Sequence, residues 1–212
     1  YARDLGASGL LLGPIFESAT HGYDTLDHMH IDVRLGGDAA FDRLITACRD
    51  MGLQVILDGV FNHVSRNHPA VQASLDEAAG RLDPADNPWH GLVRTHVGDN
   101  GEPTLDVFEG HDDLVALDHS SDKTVDYVAR VMNYWLDRGA AGWRLDAAYA
   151  VPSVFWARVL PQVKATHPDS WVFGEVIHGD YPRIVEESTM DSVTQYELWK
   201  SIQHALETEN FF

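Results

Sequence analysis

The chain has 212 residues, 44% of them apolar and 23% charged, the balance of a globular protein with a real core. No apolar run reaches the ~18 residues of a membrane-spanning helix. With 15 Lys and Arg against 33 Asp and Glu, the net charge of -18 argues against nucleic-acid and anionic-membrane partners and favours a neutral or cationic substrate. One cysteine, Cys48, excludes an internal disulfide framework and a cysteine-based zinc site, which is compatible with a cytoplasmic location. Cys48 falls in the helical stripe Phe41, Leu44, Ile45, Cys48 and reads as a packed thiol.

The chain opens on Tyr1 in what reads as a helix end and carries no stop signal at residues 209–212, so it reads as an excerpt of a longer protein. Residues 8–14 predict the first strand. After a turn at Gly36-Gly37, residues 39–51 predict a helix with Asp38 as N-cap and Gly52 as stop. Residues 53–58 predict the second strand. A stretch from about 65 to 118 breaks the rhythm, with Asn67-His68-Pro69, Asp83-Pro84, Asn87-Pro88 and Gly98-Asp99-Asn100-Gly101 giving turns and no strong period. Such a stretch is a functional loop or a small subdomain. Beyond it come a helix over 123–138 ended by Gly139, a strand over 142–147, a helix over 153–166 and a strand over 171–176. A short strand over 191–195 and a helix over 197–207 complete the series. Near-continuous apolar strands alternating with helices predict βαβ units and a parallel sheet, arranged as 1–64, an insertion over 65–118, and 119–212.

Polar residues gather where these strands end, the edge on which parallel α/β folds build their sites. Asp58 closes the second strand, with Asn62 and His63 just beyond; Arg144 and Asp146 end the third, and Glu175 the fourth. Residues two apart on a strand share a face, so Arg144 and Asp146 point together while Trp143 and Leu145 face covering helices. Three carboxylates around one cation separate into roles. Asp146, beside Arg144, suits a nucleophile, and Glu175, facing negative charge, suits a proton donor. Split carboxyl pairs are what glycoside cleavage uses. His63 could meet a hydroxyl, and Tyr23, after Gly22, offers a face to a sugar ring. Taken singly, each has a structural reading: Asp–Arg pairs are often architectural, His63 a hydrogen-bonded core histidine, Tyr23 a packing residue. His28-Met29-His30 has the look of a metal pair, but no strand precedes it in the expected way.

The ensemble is more specific. Asp58-Gly59-Val60-Phe61-Asn62-His63, Gly142-Trp143-Arg144-Leu145-Asp146 and Gly174-Glu175 occur in that order on strand ends. They resemble the D-x-x-x-N-H, G-x-R-x-D and G-E regions of the alpha-amylase family of retaining glycoside hydrolases. Leu12-Gly13-Pro14-Ile15-Phe16-Glu17 and His21-Gly22-Tyr23-Asp24 are similar to that family's segment after the second barrel strand. The resemblance implies a (β/α)8 TIM barrel, incomplete here at about strands two to six, with a loop-rich domain B insertion. It implies Asp146 as nucleophile and Glu175 as general acid/base, with Arg144 orienting Asp146. Tyr23 and His63 would contact the sugar, and Asp58 and Asp24 would support the site. The substrate implied is an alpha-glucan or malto-oligosaccharide; hydrolysis and transfer share one intermediate and stay unresolved, as does oligomeric state. A non-catalytic carbohydrate-binding or scaffold barrel is the alternative from another class.

Departures from the family pattern also count. Its third carboxylate would lie beyond Phe212, so the excerpt alone is expected to be inactive and poorly folded. No cofactor is implied with force: Asn62 matches a calcium-ligand position, but Ala116 stands where many amylases have a ligand Asp. Ala147-Ala148-Tyr149-Ala150 lacks the Lys-His typical of true alpha-amylases. The resemblance therefore points toward a maltodextrin- or cyclodextrin-acting glucosidase or transglycosylase.

Overall fold

Apolar runs and helical periods give way to strands and helices nearly where the sequence places them. In this computed structural model, which describes residues 1–209, the chain begins with β1 (Gly9–Leu11) and an antiparallel hairpin of β2 (Phe16–Ser18) and β3 (Thr25–Ile31). Helix α1 (Gly37–Asp50) leads into β4 (Gln54–Gly59). The chain then leaves through β5 (His63–Ser65), α2 (Pro69–Ala78), β6 (Thr95–Val97), β7 (Pro103–Leu105), β8 (Val107–Phe108) and β9 (His111–Ala116). It returns through α3 (Asp122–Asp137), β10 (Gly142–Leu145), α4 (Ser153–Thr166) and β11 (Trp171–Gly174). Helix α5 (Tyr181–Ser188), β12 (Ser192–Val193) and α6 (Tyr196–Thr208) complete it.

Strands β1, β4, β10, β11 and β12 form one parallel sheet in chain order. A doubly wound sheet would reverse direction at a switch point. This one advances steadily with helices between its strands, as an arc of a (β/α)8 barrel does. Alternate strand residues divide between the two faces. Val55, Leu57, Trp143, Leu145 and Val172 are buried outward against the helices, with Trp135 of α3 and Phe155 and Trp156 of α4 in the same core. Ile56 and Phe173, on the inner face, are half-buried. Helix α3 shows why the pairing holds: Val125, Val128, Met132, Trp135 and Leu136 recur at helical spacing and are all buried. Ser121 caps its start by accepting from the Lys123 N–H at 3.1 Å, and Gly139 at φ +102° follows its end.

Two motif glycines are required by packing. A Cβ on Gly142 would fall inside the backbone carbonyl of Trp171 on the neighbouring strand, and one on Gly174 would meet Met190 Sδ at 2.6 Å and Ala148 Cβ at 2.9 Å. Backbone cannot give way as a flexible side chain can. Gly142→Ala is therefore expected to destabilise the full-length protein by about 1–3 kcal/mol, read from its urea midpoint, through overpacking. An unchanged midpoint would mean that β10 and β11 can part without cost.

The structure differs from the expected elements in three places. Helix α1 starts at Gly37 rather than Ala39, because Gly36 at φ +102° turns the chain into it early; Asp38 lies inside the first turn, its Oδ1 accepting from Ile31 N–H at 2.8 Å. The β2–β3 hairpin follows no predicted strand. The turn-rich stretch after residue 65 contains α2, whose buried face is only Ala70, Val71 and Ser74, too small to print a period. His68 accepts from Ala70 N–H at 3.1 Å and Pro69 supplies the first turn, so local chemistry starts this helix. The excursion is pinned by β5 pairing antiparallel with β9, His63 opposite Ala116.

Candidate active site

Register brings the first charges together. Asp58 on β4 lies opposite Arg144 on β10, and the Arg144 Nη1 to Asp58 Oδ1 distance is 2.6 Å. The same Nη1 reaches Asp146 Oδ1 at 3.0 Å, and Nη2 reaches Glu175 Oε1 at 2.9 Å. One guanidinium, with its side chain 14% exposed, thus joins carboxylates from three adjacent strand ends. Its planar fork of donors makes this possible. Among the described residues the second Asp146 oxygen, Oδ2, has no hydrogen-bond partner.

The expected sorting of charges is modified here, because Arg144 touches Glu175 as well as Asp146. What distinguishes Glu175 is its other partners. Ala147 N–H donates to Oε2 at 3.0 Å, and the Tyr196 hydroxyl donates to Oε1 at 3.0 Å. Ala147 takes φ +46° to present that N–H, a left-handed conformation that is costly for a residue with a Cβ. Burial pushes the Asp58 carboxyl up to about 6 against the opposing pull of Arg144. Burial raises Asp146 too, and its hydrogen bond and charge contact with Arg144 limit the rise. Arg144 itself is held firmly protonated: burial opposes its charge, but Asp58, Glu175 and Asp146 together outweigh it.

Tyr23 is half-buried beside this cluster, its hydroxyl 3.4 Å from Asp58 Oδ2. Burial, then the negative charge of Asp58, raises its ionisation so that it stays a phenol. Asp24 lies outside the cluster and braces the turn that carries Tyr23. It accepts from the Thr20 hydroxyl at 2.6 Å and from His21 N–H at 3.1 Å. Burial pushes its carboxyl up, but the Thr20 and His21 hydrogen bonds outweigh it and hold it below the usual range.

His63 is only 1% exposed and its ring is engaged on both sides. Burial depresses it to about 4, so it is neutral. Asn62 Nδ2 then donates to Nδ1 at 3.0 Å, and Nε2–H donates to the Tyr23 carbonyl at 3.1 Å. A sugar hydroxyl could reach this ring only if one of those bonds opened. Phe108 covers the ring face at 4.7 Å between centroids. His28 is a core residue: buried and depressed to about 4, it is held between the Tyr127 hydroxyl at 3.0 Å and the Val60 carbonyl at 2.9 Å. His30 points elsewhere, toward Asp38.

The Asn62 amide nitrogen is engaged with His63, and Asn62 lines a cavity of ≈ 500 Å³ together with Arg94, Asp106, Glu109 and Ala116, the last without a side-chain oxygen. Among the described residues, no group of three or more His, Cys, Asp or Glu side chains is placed to hold a metal. No helix in them is long and apolar enough to cross a membrane.

Sequence reasoning missed Tyr196, Ala147 N–H, Phe108 and a Tyr149–Glu109 contact at 2.9 Å. Tyr196 follows the last strand end and could have been found by the rule that found Glu175. A main-chain donor and a contact between remote segments leave no such mark.

The sequence model of the alpha amylase catalytic domain matches residues 1–210. The chain belongs to the alpha-amylase family. Within the family it is similar to the maltogenic alpha-amylase of Bacillus acidopullulyticus, 29% identical over 204 residues that cover 95% of this chain and 34% of that protein. It is 31% identical to the cyclomaltodextrinase of Geobacillus thermopakistaniensis over 93% of this chain and 33% of that one. The chain thus spans about a third of the length of these curated relatives. Among solved structures it is similar to the ligand-free cyclic alpha-maltosyl-(1→6)-maltose hydrolase of Arthrobacter globiformis, with a TM-score of 0.82 and 28% identity over 95% of this chain and 45% of that one. These alpha-amylase relatives place the five-stranded arc within a TIM barrel.

Proposed function

We propose that the full-length protein carrying this chain is a retaining glycosidase that acts on α-glucosidic bonds of malto-oligosaccharides or related α-glucans. The observation that carries the reading is Arg144 joined to Asp58, Asp146 and Glu175 at three adjacent strand ends. The names of the relatives, maltogenic alpha-amylase and cyclomaltodextrinase, support the substrate class. A neutral polyhydroxyl substrate also suits a chain of net charge -18.

In this reading Glu175 gives its proton to the glycosidic oxygen while Asp146, with Oδ2 unbonded, attacks the anomeric carbon. The bond to the leaving sugar breaks as the Asp146 ester forms. Water then passes a proton to Glu175 and bonds the same carbon, and Asp146 leaves as a carboxylate. Two displacements restore the starting anomer, and they require carboxyls about 5–5.5 Å apart. Arg144 stabilises the carboxylates and Asp58 holds Arg144 in place. Tyr23 offers its ring to the sugar, Asp24 braces its turn, and His63 fixes its backbone through the Tyr23 carbonyl.

Proton NMR of the first product from maltotriose tests the reading, run on the full-length protein and on residues 1–212. The expected result is an α anomer from the former alone, since α6 of the short segment exposes Leu198, Trp199, Ile202 and Leu206 to solvent. A β product would overturn the retaining mechanism. Absence of product from the full-length protein across α-glucans would favour a non-catalytic barrel.

A further inference from the structure

Between β4 and β5 the chain crosses from the barrel sheet into the insertion through Val60, Phe61 and Asn62, all buried. Both ends of this crossing carry the site, with Asp58 on one side and His63 on the other. Its carbonyls need donors, because a buried backbone oxygen left unpaired is costly. Backbone serves the outer positions: Asp146 N–H donates to the Gly59 carbonyl at 3.0 Å, and Leu117 N–H to the Asn62 carbonyl at 3.1 Å. The Val60 and Phe61 carbonyls fall between those two ladders. Among the described residues no backbone N–H meets either of them.

Two buried imidazoles fill the gap. His28 Nε2 lies 2.9 Å from the Val60 carbonyl, and His119 Nε2 lies 3.0 Å from the Phe61 carbonyl. A carbonyl only accepts, so both nitrogens carry hydrogen. Burial depresses both rings and keeps them neutral, which leaves each Nδ1 bare. His28 uses that lone pair to accept from the Tyr127 hydroxyl at 3.0 Å. The two donors arrive from different parts of the chain: His28 stands on β3, and His119 follows the insertion just before α3. Packing fixes each ring, His28 against Phe61 at 5.3 Å between centroids and His119 edge-on to Phe155 of α4 at 4.8 Å. Neither histidine bonds to the carboxylate cluster itself. Their influence on it passes through the main chain.

We propose that His28 and His119 are positioning residues, whose N–H groups on the Val60 and Phe61 carbonyls fix the backbone that aims Asp58 at Arg144 and His63 at the Tyr23 carbonyl. This deepens the retaining-glycosidase reading above and rests on it. Without either donor, the crossing shifts to find another partner for its freed carbonyl. Asp58 then leaves its 2.6 Å contact with Arg144 Nη1, and the guanidinium settles on Asp146 and Glu175 alone. Misplaced reacting groups are felt chiefly in the transition state, so the loss falls on kcat more than on KM.

The test uses the full-length protein with maltotriose, at a temperature where melting curves show each variant folded. His28→Phe and His119→Phe keep a ring and delete the donor. Each should lower kcat about tenfold while KM stays within about threefold. His28→Gln and His119→Gln return an N–H at similar reach and should recover most of kcat. Tyr127→Phe removes the other partner of His28 but spares the Val60 carbonyl, so it should lower the melting temperature and keep kcat. Unchanged kcat in the phenylalanine variants, or an equal loss in Tyr127→Phe, would make the histidines packing residues and leave the glycosidase reading intact. Nitrogen-15 spectra of histidine-labelled wild type supply a second measurement should those variants fail to fold. Both rings should be neutral Nε2–H tautomers at pH 7, and an Nδ1–H tautomer or an imidazolium at either would overturn the proposal. A wild type that turns over neither maltotriose nor other α-glucans would overturn the glycosidase reading and this proposal with it.

Discussion

Asp146→Asn in the full-length protein is expected to lower kcat/KM on maltotriose by about 10⁴-fold or more, as loss of a covalent nucleophile does. The substitution is close to isosteric, and the remaining carbonyl oxygen can still accept from Arg144 Nη1, which Asp146 Oδ1 meets at 3.0 Å. Asp58 and Glu175 continue to balance the guanidinium. The fold should therefore survive, with a far-ultraviolet spectrum unchanged from wild type. The roles of the two carboxylates can be separated by an added anion. In Asp146→Ala, azide can enter the vacated space and attack the anomeric carbon opposite the leaving group, giving a β-glycosyl azide from an α-glucoside. In Glu175→Ala, the ester to Asp146 still forms, and azide displaces it to give an α-glycosyl azide. Loss of less than about tenfold in Asp146→Asn, or the same azide anomer from both alanine variants, would remove Asp146 from the nucleophile role.

The barrel was legible in the sequence because a parallel sheet writes itself locally. Strands buried on both faces are short apolar runs, and α3 repeats its apolar face from Val125 to Leu136 with a serine before it and a glycine after it. The central charges were legible for the same reason: Arg144 and Asp146 lie two apart on one strand face, and Asp58 and Glu175 end the strands on either side. The β2–β3 hairpin was not, because Asp27, His28, Met29 and His30 do not alternate and its register slips twice. In the insertion, strands of two to six residues carry no alternating pattern: β5 is buried at all three residues, and β9 is exposed over its first three. Contacts across that insertion were beyond sequence reasoning altogether. Nothing in Val107-Phe108-Glu109-Gly110 announces that Phe108 covers His63 or that Glu109 meets Tyr149. The engagement of both His63 nitrogens likewise depends on the turn that Asp24 braces, which brings the Tyr23 carbonyl to within 3.1 Å.

Arg144→Met is expected to cost about 3–5 kcal/mol of stability at neutral pH, because it leaves buried carboxylates without their cation. The cost should depend on pH with a definite sign. In the wild type, burial already lifts Asp58 from 3.8 to about 6, so its folded pKa exceeds its unfolded one. A carboxyl shifted that way contributes stability that is fully present below the unfolded pKa and is lost as pH rises through the folded one. Arg144 opposes the rise at both Asp58 and Asp146, and removing it raises both further. The loss then extends across neutral pH, so urea midpoints of wild type and variant should lie farthest apart near pH 8 and converge toward pH 5. Arg144→Lys separates charge from geometry, since one ammonium cannot span three carboxylates as a planar fork does. It should recover much of the stability at pH 8 but leave turnover reduced by about 10²-fold, the cost of misplaced reacting groups. A stability gap that stays constant between pH 8 and 5 would mean that Arg144 is held for its packing. The carboxylate cluster would then have to be neutralised by protons in the wild type as well.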